Sequence, residues 1–205
     1  MWLTATADEP VILVVGDSLS AAYGIDARRG WVALLQQRLQ QQGHGYRVVN
    51  ASISGDTTRG GLNRLPRALA QHRPRIVIIE LGANDALRGL PLEEIRRNLA
   101  AMIDTSHAHR AEVVLVGVRL PPNYGTTYTQ RFHSIYRQLA QSHQVPLVPY
   151  LLEGVGGQDE LMQADRLHPS DEAQRRMLDN VWPHLLPVLQ GAGPRSKTRS
   201  RADPS

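Results

Sequence analysis

The sequence predicts a three-layer α/β/α fold on a five-stranded parallel sheet. Three observations predict it: unbroken aliphatic runs that recur along the chain, amphipathic helical stretches between them, and reactive polar residues where the runs end. Parallel strands need crossover connections, and helices in those crossovers cover both faces of the sheet. Strands buried on both faces therefore read as continuous apolar runs rather than alternating ones.

Taken in order, residues 11–15 (Val-Ile-Leu-Val-Val) end at Gly16 and give the first strand. Trp31, Leu34, Leu35 and Leu39 share one helical face before a second strand at 47–50. Leu62, Leu65 and Leu69 predict a weaker helix that Pro66 starts or kinks, and residues 75–81 give the third strand. Leu92, Ile95, Leu99, Met102 and Ile103 mark the next helix, residues 112–118 the fourth strand. Tyr128, Phe132, Ile135, Tyr136 and Leu139 form another helical stripe ahead of a fifth strand at 145–148. Ser170 to Glu172 read as a helix start, and Met177, Val181 and Leu185 as a last helix interrupted by Pro183.

A length of 205 residues with 41% hydrophobic content fits one domain, which we place at 11–190. Residues 191–205 replace periodicity with Gly, Pro, Ser and Arg and are expected to be a disordered basic tail. Arg195, Lys197, Arg199 and Arg201 face only Asp203 there, so most of the +4 net charge belongs to the tail. The near-neutral body argues against a nucleic-acid partner.

Cysteine is absent, which excludes disulfides, zinc–thiolate sites and cysteine nucleophiles. Lys197 is the only lysine, which excludes Walker A loops, Schiff-base chemistry and Ser-Lys dyads in the body. No apolar run reaches membrane-spanning length. In residues 1–10, Ala5-Thr6-Ala7 has the small-x-small form of a signal-peptidase site, though the charged and apolar stretches that precede such sites are missing. We read it as the end of a signal peptide and expect a periplasmic or secreted protein, and otherwise a cytoplasmic one.

Open α/β sheets bind ligands beyond the carboxyl ends of their strands. There the chain carries Gly16-Asp17-Ser18-Leu19, then Ser52-Ile53-Ser54-Gly55-Asp56, then Gly82-Ala83-Asn84-Asp85, and after the fifth strand Asp165-Arg166-Leu167-His168-Pro169. Ester hydrolysis needs a nucleophile, a base, a group that orients the base, and oxyanion donors. Ser18 is the candidate nucleophile, placed at a strand-to-helix turn where its N–H also serves the oxyanion. His168 is the candidate base, and Asp165 orients it from three residues upstream. Pro169 restricts His168 to extended backbone. Gly55 offers an unobstructed N–H, and Asn84 a side-chain amide. Singly, these are a turn serine, a turn glycine, an Asx turn and a surface pair; together they fall in order along one rim.

In these four blocks the chain resembles the SGNH-hydrolase, or GDSL, superfamily. It is similar above all to the bacterial multifunctional thioesterase I, lysophospholipase and arylesterase group, through Asn50-Ala51-Ser52-Ile53-Ser54-Gly55-Asp56-Thr57 and Arg119-Leu120-Pro121-Pro122-Asn123-Tyr124-Gly125. The resemblance spans about residues 11–190. It implies strand order 2-1-3-4-5, no metal or cofactor, and hydrolysis of small-molecule acyl esters and thioesters through an acyl-enzyme on Ser18. It implies the same roles for Gly55, Asn84, Asp165 and His168. Ala83 departs from the second glycine common in close relatives. Residues 83–90, expected as a loop, and 120–124 resemble substrate-contacting loops, so we expect Asp17, Leu19, Ala83, Leu120, Pro121 and Tyr124 to contact substrate. A monomer is expected. The alternatives are a carbohydrate O-acetyl esterase of the same superfamily, a non-catalytic flavodoxin-like binding module, and a tail that anchors the protein to anionic membrane or nucleic acid.

Overall fold

The computed structural model describes residues 9–120 and 124–191. The chain runs β1 (Val11–Gly16), α1 (Trp31–Gln41), β2 (Arg47–Asn50), α2 (Thr58–His72), β3 (Ile76–Glu80), α3 (Ala83–Leu87), α4 (Leu92–Ala108), β4 (Glu112–Val116), α5 (Thr126–His143), β5 (Leu147–Val148) and α6 (Gln174–Gly191). The five strands form one parallel sheet in the order β2-β1-β3-β4-β5, the order the resemblance implies. Every residue of β1 and β3 is buried, as continuous apolar strands covered on both faces must be.

Alternate strand residues sort the helices into layers. Leu13, Val15, Val77 and Ile79 pack with Leu65 and Leu69 of α2, Leu99 and Met102 of α4, and Phe132 and Tyr136 of α5. Ile12, Val14, Ile76 and Ile78 pack on the other side with Trp31 and Leu35 of α1 and Met177, Val181 and Leu185 of α6. Strand order changes direction at β1, which lies between β2 and β3. The crevice above β1 is the natural ligand position of such a sheet.

Several local expectations are corrected. α2 begins at Thr58, capped by the Thr57 side chain, and runs through Pro66. α6 likewise continues through Pro183 and Pro187 and starts at Gln174, after turns at 171–173 where Ser170 to Glu172 read as a helix start. All three prolines are exposed, so each carbonyl deprived of an N–H partner lies on the wet side of its helix. The expected 83–90 loop opens with the short helix α3. β5 is only Leu147–Val148 because Pro146 has no N–H; its carbonyl still accepts from Leu115 N at 2.9 Å. Among the described residues no helix is long and apolar enough to cross a membrane. The triplet Ala5-Thr6-Ala7, Pro121 and the tail beyond Gly191 lie outside the described residues.

Candidate active site

Beyond Gly16 the chain enters a run of turns rather than a helix, which corrects the expected strand-to-helix turn. Ala21 N donates to Asp17 O at 2.9 Å and Tyr23 N to Ser18 O at 3.1 Å. This curl holds Ser18 at the sheet edge, partly buried, with Leu19 N tied back to Asp17 Oδ1 at 3.1 Å. His168 Nε2 lies 3.0 Å from Ser18 Oγ, and its Nδ1 lies 2.6 Å from Asp165 Oδ2. The other Asp165 oxygen accepts the N–H groups of Leu167 and His168, each at 3.0 Å. That turn requires left-handed backbone at Arg166, φ 56°. Burial works against the Asp165 charge, but the His168 ring and these two N–H groups outweigh it and bring its pKa down to about 2. An ionised Asp165 fixes the proton on Nδ1 and leaves Nε2 to accept from Ser18.

The loop bearing His168 is held from two sides. Gln163 N donates to His168 O at 2.7 Å and Ser170 N to Leu161 O at 2.8 Å, around an antiparallel bridge between Met162 and Pro169. The Gln163 side-chain amide donates to Tyr23 O at 2.7 Å and Pro169 O at 2.9 Å, clasping this loop to the nucleophile turn. The Tyr23 ring lies against His168, centroids 4.4 Å apart. Neither Gln163 nor Tyr23 carries a sequence signal, because each acts through a contact between distant segments.

The candidate oxyanion donors come from two further strand ends. Asn84 Nδ2 donates to Asp17 Oδ2 at 3.1 Å, which leaves its second N–H. Asn84 stands on α3, where Gly82 has φ 121° and a Cβ would collide with the Tyr136 hydroxyl. Asp85, buried, accepts from Thr58 Oγ1 at 2.5 Å and Thr58 N at 2.9 Å and locks α3 to the start of α2. Gly55 has φ 79°, a left-handed turn open to glycine at little cost. Arg64 secures this loop: Nε bonds Asp56 Oδ2 at 2.8 Å, Nη1 bonds Ala51 O, and Nη2 reaches Gly16 O at 3.4 Å. The N–H groups of Ser18 and Gly55 donate to no other group among the described residues.

A cleft of about 470 Å³ opens beside Ser18 and His168. Its apolar wall includes Leu19, Ala83, Leu87, Val118, Leu120, Leu152 and Met162; Arg119, stacked 4.5 Å over the Tyr150 ring, and Arg166 supply positive charge. Of the expected substrate contacts, Asp17, Leu19, Ala83 and Leu120 line the cleft. Tyr124, which is exposed, and Gly55 are not among the described lining residues. Val118, Tyr150 and Leu152 follow β4 and β5 and were open to the same strand-end rule, and Leu87 lies within the expected 83–90 segment; Met162 had no such signal. Among the described residues no cluster of His, Asp and Glu could hold a metal ion.

Known proteins resemble this chain over most of its length. The chain is 54% identical over 187 residues to "Esterase TesA" of Pseudomonas aeruginosa, covering 91% of this chain and 93% of that one. It is 49% identical over 178 residues to an arylesterase of Vibrio mimicus, covering 87% and 89%. It is 43% identical over 185 residues to thioesterase 1/protease 1/lysophospholipase L1 of Escherichia coli K12, covering 90% and 86%. The model of the GDSL-like lipase/acylhydrolase family matches residues 14–176, and the chain belongs to that family.

Proposed function

We propose that this protein hydrolyses acyl esters and acyl thioesters, aryl esters and lysophospholipids among them, through an acyl-enzyme on Ser18. The Ser18–His168–Asp165 relay, 3.0 Å and 2.6 Å between its members, carries the reading. Ser18 Oγ attacks the carbonyl carbon as its proton passes to His168 Nε2. The oxyanion is met by the N–H groups of Ser18 and Gly55 and the Asn84 amide. His168 returns the proton to the departing alcohol or thiol. Water then attacks the acyl carbon and loses a proton to the same nitrogen, which passes it to Ser18 Oγ as the acyl–oxygen bond breaks and the acid leaves. An apolar cleft of about 470 Å³ fits an acyl chain longer than acetyl, which favours this reading over a carbohydrate O-acetyl esterase. The relatives named as esterase, arylesterase and thioesterase/lysophospholipase support the same substrate classes.

A fluorophosphonate probe is expected to label wild-type protein at Ser18 and to leave Ser18→Ala unlabelled. Failure to label folded wild-type protein returns the chain to a binding module. Activity on acetyl esters alone, across aryl esters of increasing length, defeats the acyl-chain reading. We further propose that the protein acts as a monomer and that it works in the periplasm or outside the cell, the second statement supported by the Ala5-Thr6-Ala7 triplet. Light scattering and the N-terminal sequence of protein recovered from a bacterial periplasm test the two statements.

A further inference from the structure

Beneath the site lie two carboxyl groups that the relay does not use. Asp17 is 1% exposed and Glu80, the last residue of β3, is 0% exposed. The Asp17 carboxyl acts on Glu80 both as a nearby charge and as a hydrogen-bond acceptor, and each favours the protonated form of Glu80. Glu80 Oε2 accepts from Ser20 Oγ at 2.7 Å and lies 3.4 Å from Asp17 N, whereas Oε1 has no partner. Among the described residues no arginine or lysine pairs with either group. The groups facing them are Asp56 after β2, Tyr136 of α5 and His168 of the relay. Arg64 of α2 spends its nearby nitrogen on Gly16 O. Two unpaired anions at this depth, with one oxygen unsolvated, are not sustainable; one proton between them removes both the repulsion and the orphaned acceptor.

We propose that Glu80 keeps a proton at neutral pH and donates it to Asp17, making the two a positioning pair for catalysis. Held from below by Glu80, Asp17 presents one oxygen to the Asn84 amide and the other to Leu19 N. A single buried hydrogen bond thus fixes an oxyanion donor and the nucleophile turn together. Burial first, and then mutual repulsion, pushes Glu80 well above the usual carboxyl range. Burial likewise raises Asp17 to about 6, but both of its oxygens accept N–H groups, from Leu19 and Asn84, so Asp17 is the one that ionises.

The inference rests on the reading of Ser18 as nucleophile, but its direct readout does not. Near pH 8, roughly four units above ordinary carboxyl groups, the infrared spectrum of the wild type carries the carbonyl stretch of a buried carboxylic acid, and Glu80→Gln lacks it. Absence of that band in the wild type overturns the proposal whether or not the protein is active. Glutamine retains a donor for Asp17 and an acceptor for Ser20, so Glu80→Gln keeps kcat within about threefold of wild type. Glu80→Ala lowers kcat about ten- to hundredfold, with KM within about twofold, as expected for lost oxyanion alignment. Equal losses in both variants show that an ionised Glu80 is required, and full activity in both shows that it positions nothing; either overturns the proposal. If Glu80→Ala does not fold, a drop of about tenfold or more in Glu80→Gln overturns it alone. Absence of esterase activity in the wild type defeats the proposed function and leaves the infrared test standing.

Discussion

At the scale of single residues, what distinguishes this site is how little freedom each reacting group retains. Asn84 illustrates it: one N–H is spent on Asp17, so the amide plane is set before substrate arrives. Asn84→Ala is expected to lower kcat about a hundredfold or more while KM changes little, because the bond matters once the oxyanion has formed. A change confined to KM removes Asn84 from that role. The sequence marked Ser18, Gly55, Asn84, Asp165 and His168 because each lies in a connection that follows a strand. It could not mark Glu80, which falls inside the expected strand at 75–81, or Arg64, which falls between Leu62 and Leu65 of an expected helix. Glu80 also fixes a pH dependence of stability. A carboxyl whose folded pKa is raised contributes stability in full below its unfolded value, about 4. That contribution disappears as pH rises through the folded values, about 6 for Asp17 and well above the ordinary carboxyl range for Glu80. Glu80→Gln has lost the second titration, so its melting temperature relative to wild type should climb as pH is raised above 6. Parallel curves for the two proteins would contradict this.

At the scale of elements, the strands were legible and the helix ends were not, for one physical reason. A strand buried on both faces leaves an unbroken aliphatic run, whereas proline announces a helix break wherever it falls. Pro66, Pro183 and Pro187 all lie inside helices because each faces solvent, where water replaces the missing N–H. The buried stripes Leu65–Leu69 and Val181–Leu185–Leu189 hold these helices together across the interruption. Such a proline still costs stability relative to alanine, about 3 kcal/mol in a helix interior, offset by about 1 kcal/mol from the stiffer unfolded chain. Pro66→Ala is accordingly expected to stabilise by about 1–2 kcal/mol, raising the melting temperature by about 2–8 °C. A fall in melting temperature would mean that Pro66 orients α2, and with it the Thr58–Asp85 lock beneath Asn84.

At the scale of the molecule, the site is an assembly of loops from all five strand ends, and only the fold brings them together. Strand ends can be found in a sequence; the packing that puts Leu87 and Met162 in the same wall as Leu120 cannot. Leu87 follows Asn84 by nearly one turn of α3, so it connects the oxyanion donor to the apolar wall. Each methylene moved from water into that wall is worth about 0.8 kcal/mol, which sets an upper slope of about fourfold in kcat/KM per carbon. Along a series of p-nitrophenyl esters, kcat/KM should rise by up to that factor and level off where the chain outgrows the cleft. Leu87→Trp fills part of the space beside Ser18 and should move the plateau to shorter chains, reducing long esters most and the acetyl ester least. Uniform loss at every length would show that tryptophan disturbs α3 and Asn84 rather than the cleft. An unchanged profile would place the acyl chain elsewhere, along the Arg119–Tyr150 side of the opening.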